Sequence, residues 1–303
     1  MTASPEICAV VAHDAGGAEV LSSYVRRQGL RCIYVLQGPA CKVFERKLGD
    51  IKTLPLDDAI READWVLCGT SWQSELEFDA IKLARSLGKR SVAFLDHWVN
   101  YRERFERKGE LNLPDEIWVG DPIAAELARK IFCETPIRLV ENPYFMDIRA
   151  EVFAAPVVRP ADAERLAVLY VCEPVREHAL RQHGNERYWG YVEEDALRYF
   201  LANVAVLGKP VERILIRPHP SEAANKYGWA KDEFDLPITF GGSRTLFEEI
   251  ADSDVVVGCS SMAMVIGLLA GKRVISSIPP GGSRCALPQP EIELMQQLLG
   301  RPA

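Results

Sequence analysis

Several protein classes can be set aside from what the sequence lacks. Its eight cysteines, Cys8, Cys32, Cys41, Cys68, Cys133, Cys172, Cys259 and Cys285, include no CxxC pair. Most lie in apolar runs such as WVLCGT and VVVGCSS, where a reduced thiol behaves as a small hydrophobe. Neither a zinc site nor a disulfide framework is expected. No run reaches the roughly 18 consecutive apolar residues of a membrane helix. The first apolar run has no basic segment ahead of it, which points to a cytoplasmic protein rather than a secreted one. Positive charge is in deficit, with 36 basic against 43 acidic side chains and a net charge of -7. Gripping a nucleic-acid backbone needs a basic face, so that class is excluded, whereas small anionic ligands are not. Two nucleotide fingerprints are missing as well. There is no GxxxxGK[ST] loop, and HDAGGAE is not GxGxxG; nor does an acidic residue close the second strand, which ends in Gln37.

What is present is a rhythm. The 303 residues, 48% of them hydrophobic, suffice for about two domains. Short runs that are apolar throughout alternate with amphipathic stretches: ICAVVAH, RCIYVLQ, KTLP, WVLCGT, RSVAFLD, EIWVGD and IRLVEN, then RLAVLYVCEP, RILIRPHP, LPITF, DVVVGCSS and RVISSIPP. Strands without alternation are buried on both faces, which predicts parallel sheets between helix layers. FAAPVVRPADAE interrupts the rhythm, so residues 1–145 are read as an N-terminal domain, 146–164 as a linker and 165–303 as a C-terminal domain. PEIELMQQLLG reads as a closing helix. The predicted fold class is α/β, with two Rossmann-like domains facing across a cleft.

Ligands of such sheets bind beyond the carboxyl ends of the strands, where this sequence collects glycines and polar residues. The first domain offers His13, Asp14, Gly16 and Gly17, then Asp96 and His97. Asp14 or Asp96 is a candidate general base, and Trp98 with Tyr101 a candidate sugar-stacking surface. The second domain offers Glu173, then Arg217, His219 and Pro220 in IRPHPSE. The prolines on either side of His219 stiffen its backbone, and Arg217 with His219 suits an anion. A histidine that merely caps the next helix is the plainer alternative. Gly242 and Ser243 open another turn, with Ser243 and Arg244 at a helix start. In GCSSMAM, Ser260 or Ser261 caps a helix whose free amides and dipole suit phosphate, or is simply a good cap. Asp252 and Asp254 spell DxD, but at the start of a strand, so no metal is expected there or elsewhere.

RPHPSE followed by GCSSMAM resembles the HP and paired-serine motifs of bacterial sialyltransferases and Kdo transferases of capsule-type polysaccharide synthesis, which are GT-B enzymes. The stretch from YVCEPVREH to WGYVEEDAL is similar to capsule biosynthesis proteins. The resemblance implies that His219, Ser260 and Ser261 hold the donor phosphate, that His219 assists the departing nucleotide and that Glu173 lies near the donor. The sialyltransferase [DE][DE]G motif is absent, and Asp14 is its nearest analogue.

The expected function is a metal-independent glycosyltransferase that needs no cofactor. Its partners would be a nucleotide sugar, a CMP-linked nonulosonate or Kdo-like sugar being favoured, and a glycan or lipid-linked glycan acceptor. A glycerophosphotransferase, a UDP-sugar 2-epimerase and a non-catalytic assembly component are the alternatives. Arg102, Arg104, Arg107 and Lys108 could form a peripheral contact at the inner membrane face or a solvated helix face.

Overall fold

The computed structural model describes residues 6–71, 74–157 and 164–300. The chain divides into two compact units, Met1–Asp147 and Ile148–Ala303. In the first, strands and helices follow one another as β1 (Ile7–Ala12), α1 (Ala15–Gln28), β2 (Arg31–Leu36), α2 (Pro39–Leu48), α3 (Leu56–Glu62), β3 (Trp65–Cys68), α4 (Leu76–Ser86) and β4 (Arg90–Leu95). A small hairpin, β5 (Glu106–Arg107) and β6 (Glu110–Leu111), leads to β7 (Glu116–Val119), α5 (Pro122–Ile131) and β8 (Ile137–Leu139). Helix α6 (Pro143–Ala154) runs across the division.

The second unit has β9 (Leu166–Val171), α7 (Val175–His183), α8 (Glu193–Ala202), β10 (Val211–Arg217), α9 (Trp229–Glu233), β11 (Ile238–Phe240) and α10 (Leu246–Ala251). It closes with β12 (Val255–Gly258), α11 (Met262–Leu269), β13 (Arg273–Ser276), β14 (Glu293–Leu294) and α12 (Met295–Leu298). Each unit holds one six-stranded sheet, ordered β2-β1-β3-β4-β7-β8 and β11-β10-β9-β12-β13-β14, with every neighbouring pair parallel.

The apolar runs form these strands because both faces are covered. From Cys8 to Ala12 and from Ala167 to Val171 every residue is buried. Trp118 of β7 lies in the first core, edge-on to Tyr24 and Phe94. In the second core the Tyr170 ring is fully buried, and its hydroxyl meets Ser277 Oγ at 3.1 Å. Helix ends follow local chemistry. Asp121 caps α5 through the Ala124 amide ahead of Pro122, and Thr245 with Glu248 forms a capping box on α10.

Three readings of the sequence change. KTLP makes only an isolated bridge, from Thr53 to Tyr34. The closing segment supplies the sixth strand, β14, before its short helix. The stretch expected as a linker is helical through Ala154, and its residues 158–163 lie outside the described ones. No helix among the described residues is long and apolar enough to cross a membrane.

The strand order reverses between β1 and β3 in one unit and between β9 and β12 in the other. At such a switch point the connections leave in opposite directions and open a crevice at the carboxyl edge. The second crevice needs a glycine: a Cβ on Gly258 would lie 2.8 Å from Val171 Cγ2 and 3.1 Å from Met264 Sδ. Gly258→Ala is therefore expected to cost roughly 1–3 kcal/mol. In urea unfolding this reads as a lower midpoint at unchanged slope; a midpoint equal to the parent's would contradict the close packing.

Candidate functional sites at each sheet edge

At the first unit's switch point, β1 delivers His13 and Asp14. Asp14 stands at the N-cap position of α1 but makes no side-chain cap. Its Oδ1 lies 2.7 Å from His13 Nδ1 instead. A carboxylate there holds the Nδ1 proton, which leaves Nε2 as the basic nitrogen. Nε2 sits over Gly38, where an added Cβ would come within 2.7 Å of it. The His13 amide donates to Glu77 Oε1 at 2.7 Å.

Glu77 was not among the sequence candidates. It is 3% exposed, and its Oε2 has no hydrogen-bond partner. Burial pushes its carboxyl up to about 7, with the Asp14 charge adding to the rise and the His13 amide opposing it. A signal was present in the sequence: Glu77 shares the buried stripe of α4 with Ala80, Ile81 and Ala84, at helical spacing.

Asp96 belongs to the same edge but its charge is already paired. Its Oδ1 accepts from Arg104 Nη1 at 2.7 Å and from Thr70 Oγ1 at 3.3 Å. Gly16 is the residue that lets Asp96 in, since a Cβ there would be 2.0 Å from Oδ2. Gly17 packs against Gly69 in the first turn of α1. Asp96 is thus a structural ion pair and not a free base. His97 Nδ1 accepts the Trp98 amide at 3.0 Å, and burial depresses its imidazole against the pull of Asp96.

The expected stacking surface is corrected. Trp98 is buried with its Nε1 on Asp121 Oδ2 at 2.9 Å, and Tyr101 is buried too. The basic cluster is also no patch. Arg104 is buried on Asp96, Arg107 donates to the Ser71 and Ser74 carbonyls, and Arg102 pairs with Glu106 at 2.7 Å.

In the second unit the anion-binding pair is split. Arg217 Nη1 donates to Glu249 Oε2 at 2.6 Å and to the Arg244 carbonyl at 3.0 Å, so its charge is compensated by a buried carboxylate. The other oxygen of Glu249 accepts the Gly242 amide at 2.7 Å. Gly242 has φ +97, Ser243 is exposed, and the helix begins three residues after Ser243, at Leu246, instead of at Ser243 and Arg244.

His219 remains available. Its amide donates to Glu222 Oε2 at 2.8 Å. Its Nδ1 lies 3.2 Å from the Ser221 amide and 2.8 Å from the Ser221 hydroxyl. An amide only donates, so Nδ1 is the acceptor and the neutral ring carries its proton on Nε2, ready to donate. Glu222 is itself fixed by Lys226 Nζ at 2.8 Å and Tyr227 Oη at 2.7 Å. Pro220 is exposed beside it. Glu222, Lys226 and Tyr227 escaped the sequence reading, although Glu222 closes the RPHPSE motif.

At the start of α11, Ser261 is the cap, its Oγ accepting the Ala263 amide at 3.2 Å. Ser260 Oγ accepts the Ala286 amide at 3.1 Å. The amides of Cys259 and Ser260 point to Glu173 Oε1, at 3.0 and 2.7 Å. Burial raises the Glu173 carboxyl to about 7, against the lowering effect of those amides. Asp252 and Asp254 are structural: Asp252 pairs with Arg244 at 2.7 Å, and Asp254 accepts the Ala167 amide at 2.8 Å.

No protein-family model matches the chain, and no curated protein matches it. Solved structures do. The UDP-GlcNAc 2-epimerase of Methanocaldococcus jannaschii aligns with a TM-score of 0.56 at 11% identity, over 89% of this chain and 83% of that one. The UDP-GlcNAc 2-epimerase of Neisseria meningitidis, bound to UDP-GlcNAc, gives 0.54 at 10% identity, over 91% and 83%. The glycotransferase of kitacinnamycin gives 0.52 at 16% identity, over 90% and 80%. The fold class is GT-B. At these identities the likeness concerns fold, and chemistry has to come from the residues.

The Glu77 carboxyl has a pH consequence. Its folded value, about 7, lies above the ordinary 4.5, so its contribution is complete below pH 4.5 and is lost as pH rises through 7. The loss is about 3 kcal/mol by pH 8. Glu77→Gln is expected to be more stable than the parent at pH 8 and not at pH 4, read as the difference between two urea titrations. Parallel stability curves across that range would refute it.

Proposed function

We propose that this chain binds a nucleotide sugar and acts on it as a glycosyltransferase. The reading rests on one observation: the carboxyl edge of the second sheet carries groups suited to an anion, and the first sheet's edge, taken by itself, carries a pair suited to moving a proton. The first edge holds the imidazole–carboxylate pair of His13 and Asp14. The second holds an Nε2–H donor on His219 and the start of α11, groups suited to an anion.

The chemistry follows from those parts. Within the first unit, His13 Nε2 is placed to take a proton from a hydroxyl, with Asp14 stabilising the imidazolium that forms. As the sugar–phosphate bond breaks, charge builds on the departing phosphate. His219 Nε2–H meets that charge with a donor already oriented by Ser221 and Glu222, so little reorganisation is needed during the step. Ser260 and Ser261 flank the same phosphate, with Arg217 and Glu249 shaping the neighbouring loop. A CMP-linked donor is favoured on the HP and paired-serine motifs.

A 2-epimerase is the second reading. It is favoured by the Asp14 carboxylate on the His13 ring and the partnerless Oε2 of Glu77 beside the start of α1, groups that suit proton abstraction from carbon. An epimerase needs no acceptor, so product analysis with the nucleotide sugar alone separates the two.

Two outcomes test the proposal. A nucleotide that binds the native state raises the melting temperature by mass action. Among CMP, CDP, UDP and GDP, a CMP-selective shift lost in His219→Ala supports the transferase, and a UDP-selective shift supports the epimerase. No shift with any of them contradicts both. Once the donor is known, His219→Ala is expected to lower turnover on the order of 10²-fold or more; unchanged turnover removes His219 from the mechanism.

A further inference from the structure

Cys8 and Cys32 stand directly opposite one another on neighbouring strands. Cys8 lies on β1 and Cys32 on β2, and the parallel register pairs the two residues. Opposed residues of a sheet point to the same face, and both thiols belong to one apolar cluster with Val10, Tyr34 and Leu36. Neighbouring strands run about 4.8 Å apart. A disulfide needs Cα atoms roughly 4.4–6.8 Å apart and side chains that do not diverge. The pair meets both conditions without a change of register. Cys68 of β3 does not compete. Its neighbour Leu67 faces this cluster, so the Cys68 side chain points to the opposite face of the sheet.

The two thiols differ in access. β2 is the outer strand of its sheet, and Cys32 is partly exposed there, whereas Cys8 is fully buried. The two side chains are hydrogen-bonded to one another, and the Tyr34 hydroxyl, two residues along the same face, adds a second bond to Cys32. The bond from Cys8 holds the Cys32 thiol below its ordinary range against the opposing effect of burial, while burial pushes the Cys8 thiol up. The accessible sulfur is thus also the more nucleophilic one.

We propose that Cys8 and Cys32 are a redox pair, in which a peroxide oxidises Cys32 and Cys8 then closes a disulfide between β1 and β2. The Cys32 thiolate attacks one peroxide oxygen, the O–O bond breaks, and the other oxygen leaves as hydroxide; Cys32 is now a sulfenic acid. The Cys8 sulfur attacks the Cys32 sulfur, the S–S bond forms, and the S–O bond breaks, its oxygen leaving as water with the Cys8 proton. Two electrons pass from the two thiols to one peroxide. The bridge joins the strands that frame the first edge. β1 runs into His13 and β2 into Gly38, over which His13 Nε2 sits, and the Ala40 amide donates to the His13 carbonyl at 3.0 Å. Oxidation therefore clamps the two segments that hold His13 and restricts the unfolded chain.

Peptide mapping of the oxidised full-length protein tests this. The protein is treated with hydrogen peroxide, its remaining thiols are blocked with N-ethylmaleimide in urea, and trypsin is added without reductant. The expected product, in monomeric protein, is a linked pair of peptides, Met1–Arg26 and Cys32–Lys42, joined through Cys8 and Cys32. It should be absent before oxidation and after dithiothreitol, and the oxidised protein should unfold at higher urea than the reduced one. Cys41 shares the second peptide, so fragmentation locates the bond, and the variant Cys41→Ser, at an exposed position, must give the same link. Cys8 that stays blockable at every peroxide dose, Cys32 that passes to sulfinic acid without a link, or Cys8 joined to any other cysteine overturns the proposal.

Discussion

Both sheet edges depend on the same interaction, a carboxylate that accepts backbone amides beside the switch point. Where the strand order reverses, the chain emerges from β1 and from β12 with amides that no neighbouring strand can satisfy. Glu77 takes the His13 amide in one unit, and Glu173 takes those of Cys259 and Ser260 in the other. An unsatisfied buried amide costs on the order of 1–3 kcal/mol, so these bonds fix the turns on which the candidate residues stand. Burial lifts both carboxyls to about 7, so the bonds that shape the edges are also the groups most responsive to neutral pH.

This arrangement separates charges that the edges could otherwise offer to a ligand. Asp96 is neutralised by Arg104, and Arg217 by Glu249. Among the described residues at the edges, the Nε2 atoms of His13 and His219 stay uncommitted, each with its Nδ1 engaged by a near neighbour. One Nδ1 faces a carboxylate and the other an amide. The two rings are therefore set in opposite tautomers, one poised to accept a proton and the other to donate a hydrogen bond.

Most of the fold was legible because a doubly covered parallel strand leaves a run of apolar residues that few other structures need. Strand β14 was not, since two residues in PEIELMQQLLG carry no such run. The candidate residues at strand ends were legible by position: His13, Asp14, Glu173, His219, Ser260 and Ser261 all lie at a carboxyl edge. Their partners were not. Glu249 lies 32 residues from Arg217, and Glu77 lies 64 from His13. Only the folded chain shows which charge is already spent. Trp98 misled for a related reason. An aromatic beside a histidine can stack on a sugar or fill a core, and Asp121 decides for the core.

The central claim is that a phosphate binds at the carboxyl edge of the second sheet, the edge on which His219 and the start of α11 stand. Amide NMR of the isotopically labelled protein during titration with a nucleotide sugar tests it most directly. The account predicts that the largest shifts fall on the amides of Cys259, Ser260 and Ser261, with the His219 ring following at the same ligand concentration. Saturable shifts that leave these residues unmoved, and map instead to the exposed loops around Arg102 and Lys108, would contradict it.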